Sequence, residues 1–325
     1  MTVSDRLKTR ASDLARTALG AVLGIGLVGA VAFQPAQAFA HAAPAAAAAP
    51  RVVSQATGAG PALWVIRDAD STLYLFGTVH LLRPTTVWRW ANVEAAFDSA
   101  SSVVFEISNP DDQAAVMPLV QQFGISPQTP LSSLLTTDEL ATLDTAARTM
   151  GLSAAQMDPY RPWLAALTLS VAPLTAAGYD PASGVELVLK ARAQAAGKPI
   201  TGFETIDEQI RILAGFPEAD QLAFLRSTLT DFTEATVELD RLVEAWAAGD
   251  VEAINAIGVV PMRESSVAMH EALLVRRNVN WADQIQTLLA GSGTVFIAVG
   301  AAHLAGDDSV QEILEDRGVR VEVAQ

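Results

Sequence analysis

Two short apolar runs constrain what this chain can fold into more than any other feature. They are Leu73-Tyr-Leu-Phe-Gly-Thr-Val-His80 and, near the other end, Val295-Phe-Ile-Ala-Val-Gly-Ala-Ala-His303. Each reads as a buried strand that reaches a glycine, Gly77 or Gly300, where a side chain would obstruct close backbone approach. Each then presents an imidazole just past its carboxyl end. The chain has 4 histidines, so two of them in matching Gly-x-x-His frames point to one shared site.

The rest of the chain supplies partners for those strands. Ala62–Ile66 and Thr72–Phe76 flank the polar turn formers Arg67–Ser71 and predict a β-hairpin that delivers His80. A helix is expected around Asn92–Ser99, followed by the strand Ser102-Val-Val-Phe-Glu106. Residues from about 110 to 180 read as a mostly helical insertion packing on itself, including a helix opened by Arg161-Pro162. A helix over Val185–Ala196 precedes the strand Ile200-Thr-Gly-Phe203, which runs into Glu204. Apolar residues at three- and four-residue steps over Glu218–Ala248 predict one long helix or a broken pair, and a second long helix is expected over Ser266–Leu289. The chain closes with the strand into His303, a helix near Asp308–Asp316 and a strand Val319–Val323. The fold class is therefore α/β: a central mixed sheet with an N-terminal β-hairpin and a large helical insertion.

The first forty residues stand apart. Arg6, Lys8, Arg10 and Arg16 precede the apolar run Ala18–Phe33 and the small-residue stretch Ala36–Ala40, the order of a signal peptide. At about sixteen residues that run is short for a membrane span, so export with cleavage is expected, with an uncleaved anchor as the alternative. Residues 41–60, rich in Ala, Pro and Gly, read as a flexible tether, and residues 61–325 as the folded catalytic domain. The formal charge is -15, which argues against nucleic acid because phosphate contacts need clustered cations. With no cysteine, disulfides, thiolate ligands and cysteine nucleophiles are excluded. The oligomeric state is not readable.

In open α/β sheets, functional groups gather beyond the carboxyl ends of the strands. His80, Glu106, Glu204 and His303 are all expected there. Two imidazoles and two carboxylates are a reasonable ligand set for a divalent ion such as Mn²⁺, Co²⁺ or Zn²⁺, which could activate water against a carbonyl. Glu106 and Glu204 also suit helix-start acids. His41 lies in the tether, and His270 reads as a surface or satisfied helical residue. Arg276, Arg277 and Asn278 form a polar knot before Trp281, with Arg277 either clamping a carboxylate or binding a substrate's. No Gly-x-Ser-x-Gly elbow occurs, so a serine triad is not expected.

Several segments together resemble the TraB/GumN family, grouped with the Tiki-like proteins. They are Ala62–Val65, Tyr74–Leu82, Phe105-Glu106, Arg161–Trp163, Tyr179–Val185, Gly202–Thr205 with Gln209, Arg277-Asn278 and Val299–Gly306. The resemblance implies a metal-dependent hydrolase or protease. His80, His303, Glu106 and Glu204 would then be ligands, one of the glutamates a general base, and Arg277 and Asn278 catalytic supports, with a peptide or small molecule as substrate. Glu186 in Gly184-Val-Glu departs from the aspartate expected of relatives. Alternative readings are a metal-independent esterase-like hydrolase, in which His80 and a glutamate act as base and acid, and a non-catalytic periplasmic binding protein.

Overall fold

The computed structural model describes residues 60–324. The targeting segment, His41 and nearly all of the tether lie outside the described residues. Six strands form one sheet in the order β4-β3-β5-β2-β1-β6. They are β1 (Leu63–Arg67), β2 (Ser71–Thr78), β3 (Ser102–Ile107), β4 (Ile200–Glu204), β5 (Gly293–Gly300) and β6 (Val321–Val323). The hairpin forms as the turn residues predict, with Leu63 opposite Phe76 and Arg67 opposite Thr72. Asp68 holds the turn by accepting from the Asp70 and Ser71 backbone N–H groups.

β2, β3, β4 and β5 run parallel, so their carboxyl ends share one edge of the sheet. β1 alone runs the other way. The C-terminal strand β5 inserts between β2 and β3, with Thr78 in register with Gly300. That register brings the two Gly-x-x-His frames side by side.

Both faces of the sheet are covered, which is why β2 and β5 are apolar almost throughout. Phe76, Phe105, Phe296 and Ala298 look into a large core shared with the helices that follow β2, β3 and β4. Leu73, Leu75, Val104, Ile297 and Val299 look into a smaller one closed by Trp281, Ile285 and Leu314. The insertion between β3 and β4 does not close on itself. Its helix Pro162–Ala176 packs against Glu218–Asp231, and its helix Gln113–Gly124 against Ile206–Ala214. The region Glu218–Ala248 is the broken pair, Glu218–Asp231 and Ala235–Ala247. The expected long helix over Ser266–Leu289 is present but carries a π turn, Glu271–Val275, where the Arg276 N–H reaches back to the Glu271 carbonyl.

Among the described residues no helix is long and apolar enough to cross a membrane.

Candidate active site

His80 stands two residues past β2 and His303 lies in a 3-10 turn, Ala301–Leu304, directly after β5. Glu106 and Glu204 are not beyond their strands but inside them, Glu106 as the last residue but one of β3 and Glu204 as the last of β4. Their side chains therefore rise from the same sheet edge. A Cβ on Gly77 would come within 3.2 Å of the Ala301 Cα, so the two strand ends do approach closely there. Gly184 is tighter still: a Cβ would lie 2.3 Å from the His80 carbonyl oxygen, so only glycine lets the helix Val185–Ala195 start against the His80 backbone.

Arg277 is the centre of the cluster. It is 4% exposed and donates from Nη2 to Glu106 Oε2 at 2.7 Å and from Nε to both Glu204 oxygens at 3.0 and 3.1 Å. Nη1 reaches the Leu273 carbonyl at 2.9 Å and His303 Nε2 at 3.0 Å. Leu273 belongs to the π turn that precedes Arg277, a distortion frequent at functional sites. Gln209 donates from Nε2 to both Glu106 and Glu204 at 3.1 Å, and the Trp281 indole donates to Glu204 at 2.9 Å. Glu106 Oε1 accepts from the Gly300 N–H at 2.8 Å. Of the two roles open to Arg277 from sequence, the structure displays the clamp on carboxylates.

Electrostatics follow from this packing. Burial by itself would push the Glu106 carboxyl up, but Arg277, then His303, His80 and the Gly300 N–H, bring it down to about 2. Burial likewise works against the Arg277 cation, and Glu106 and Glu204 more than offset it. Glu106 and Arg277 are thus a charged buried pair.

The two imidazoles are each held from outside through Nδ1. Asn278 donates from Nδ2 to the Asp308 carbonyl at 2.7 Å, so its Oδ1 faces His303 Nδ1 at 2.5 Å. That assignment puts the proton on His303 Nδ1 and leaves Nε2 to accept from Arg277. His80 Nδ1 lies 2.7 Å from Glu186 Oε1, which also accepts from the Thr78 hydroxyl. His80 is buried, which lowers its pKa, yet Glu186 and then Glu106 outweigh that and raise it above the ordinary 6.5. His80 Nε2 has no hydrogen-bond partner among the described residues, and neither does Gln209 Oε1.

The four nominated residues therefore meet in one cluster, with Arg277 and Asn278 part of it. Among the described residues no three His, Asp or Glu side chains form a ready coordination group. What a divalent ion would find is a buried, unpartnered Nε2 on a histidine tied through Nδ1 to a carboxylate, the outer-partner pattern of metal-binding histidines, near the ionised Glu106. The donor chemistry fits such an ion at His80, whose Nε2 has no partner among the described residues, with Glu106 as the adjacent carboxylate; Glu106, Glu204 and His303 are all engaged by Arg277, so an ion would share Glu106 with that cation.

Glu186, Gln209 and Thr78 were not assigned roles from sequence. A signal existed for two of them: Gln209 sits in the buried stripe Ile206, Ile210 and Leu213, and Glu186 in the stripe Val185, Leu189 and Ala193. A polar residue at an apolar stripe position is the exception that points to function. His270 is buried, not on the surface, with Asp308 3.9 Å away.

A model of the TraB/PrgY/gumN family matches residues 62–323. An uncharacterized protein of Treponema pallidum (strain Nichols) is 22% identical over 270 residues, covering 78% of this chain and 80% of its own. The uncharacterized protein YbaP of Escherichia coli (strain K12) is 22% identical over 256 residues, covering 78% of this chain and 92% of its own. No solved structure matches the chain.

Proposed function

From the premise that the chain belongs to the TraB/PrgY/gumN family, we propose that it is an exported hydrolase of peptides, dependent on a divalent ion held by His80 and Glu106. One observation carries the reading: His80 is buried, fixed through Nδ1 by Glu186, has an Nε2 with no partner among the described residues, and lies close enough to Glu106 and Arg277 to feel both charges. A bound ion would supply a water of lowered pKa and polarise a carbonyl.

The chain's own residues do the rest. Glu186 and the Thr78 hydroxyl keep the His80 ring in one orientation and tautomer. Arg277, with a cation that cannot be discharged, would offset negative charge developing on the tetrahedral oxygen of a carbonyl bound beside Glu106 and Glu204. Gln209 and Trp281 hold Glu204 in place, leaving it as a base once a substrate loosens its contact with Arg277. The buried surroundings exclude bulk water and strengthen each of these interactions.

The second reading keeps the same groups without metal. The His80–Glu186 pair has the geometry of a general base with its orienting acid, which favours it specifically. The test is metal content of protein purified from the exported compartment, with peptide hydrolysis measured before and after chelation and on return of Mn²⁺, Co²⁺ or Zn²⁺. Loss on chelation and recovery with one ion is the expected result, while turnover that survives exhaustive chelation selects the metal-free base. A mature mass lacking about the first forty residues, the length of a signal peptide with its cleavage site, is the expected sign of export in the same sample.

A further inference from the structure

Gln209 bears an acceptor that nothing in the proposed chemistry uses. Its Nε2 is committed to Glu106 and Glu204 at 3.1 Å each, and both carboxylates demand a donor, so the amide cannot be flipped. Oε1 is thereby fixed as a buried carbonyl oxygen without a donor among the described residues, on a side chain 2% exposed. A buried acceptor left unpaired costs free energy, and native structures keep few of them. The other buried side-chain atom of this cluster without a partner among the described residues is His80 Nε2, and both side chains border Glu106.

We propose that Gln209 is a specificity-determining residue whose Oε1 accepts a backbone N–H of the substrate. The proposal rests on the hydrolase reading above and adds to it. A site that presents an unpaired acceptor discriminates against an analogue lacking the matching donor, because binding that analogue leaves the acceptor buried and unpaired. Gln209 would then select N–H-bearing amides over N-alkylated amides, while the bridge from Nε2 keeps Glu106 and Glu204 together.

The probe is the peptide best cleaved from a random heptapeptide library, compared with copies N-methylated at one amide at a time. Wild-type protein and Gln209→Met are assayed on each, and bound metal is measured in both. In the wild type, methylation at one position should lower kcat/KM about tenfold or more, the size expected when a buried acceptor loses its donor. In Gln209→Met that same methylation should have little effect. If no single methylation is felt by the wild type, the proposal is overturned without recourse to the variant. If Gln209→Met lowers turnover of all copies equally, with or without a fall in bound metal, Gln209 is a structural or ligand-holding residue and the proposal is overturned. Absence of cleavage of any library member by the wild type would overturn the hydrolase reading itself, and this inference with it.

Discussion

At the scale of single residues, the cluster works because one arginine neutralises two buried carboxylates. Replacing Arg277 by Met would leave Glu106 and Glu204 buried and uncompensated, a change that typically costs about 3–5 kcal/mol. Urea unfolding should report that loss. The pH dependence has a definite sign. The Glu106 pKa in the fold is about 2, below its ordinary 4.5, so its contribution to stability is present above about 4.5 and is lost as pH falls toward 2. In Arg277→Met the main cause of that depressed pKa is gone while burial still pushes the carboxyl up, so the stability gap between variant and native chain should be widest near neutral pH and narrow as pH falls. Glu186 acts differently, since it touches only His80 and Thr78 among the groups of the site. Glu186→Gln keeps a side chain able to hydrogen-bond, so it should lower the unfolding midpoint less than Arg277→Met does, while lowering activity or metal affinity about 10–100-fold, the usual effect of losing an outer partner of a ligand. Titration of metal binding beside steady-state kinetics separates the two.

At the scale of elements, the site depends on how closely a helix start meets a strand end. Gly184→Ala would drive a Cβ to 2.3 Å from the His80 carbonyl oxygen, so the helix Val185–Ala195 and the His80 loop must part. A lowered thermal midpoint together with reduced turnover is expected, and retention of both would show that this contact does not position the site. A second prediction lies away from the site, at the last residue of the helix Glu218–Asp231. There burial raises the Asp231 pKa from 3.8 to about 7, against a smaller lowering by the Ser227 hydroxyl, and the carboxylate also sits at the negative end of the helix dipole. Because the folded pKa is the higher one, the stabilising effect is full below about 4 and is lost as pH rises through about 7. Asp231→Asn should flatten that decline and be more stable than the native chain at pH 8, as followed by thermal unfolding across pH.

The elements also show where sequence reading succeeds and where it stops. The hairpin, the strand ends at His80 and His303 and the acids at Glu106 and Glu204 were legible because short apolar runs bounded by turn residues depend mainly on local chemistry. Strand order was not: β5 lies between β2 and β3 because of long-range packing that no window of sequence contains. The π turn before Arg277 was hidden for the same reason, since its residues Glu271–Val275 carry ordinary helical periodicity. Glu186 and Gln209 were visible only as polar residues in apolar stripes, a signal that acquires meaning once the facing groups are known. Of the two alternatives for His270, surface or satisfied, the surface one fails, because its burial comes from tertiary packing that also sets it near Asp308.

At the scale of the whole molecule, the parallel core of the sheet is what lets residues more than two hundred positions apart act together. β2 and β5 pair from Ser71–Gly293 to Thr78–Gly300, and the proposed site requires that this pairing bring His80 beside the charged centre that Gly300 and His303 hold through Glu106 and Arg277. The most direct test is peptide hydrolysis and bound metal in the double variant His80→Ala with His303→Ala, with circular dichroism and the unfolding midpoint as controls for the fold. The account predicts a folded protein that has lost bound metal and whose kcat/KM is down by at least about a hundredfold, since losing a ligand should exceed the effect of losing a ligand's outer partner, about 10–100-fold. A folded double variant with unchanged turnover would contradict it.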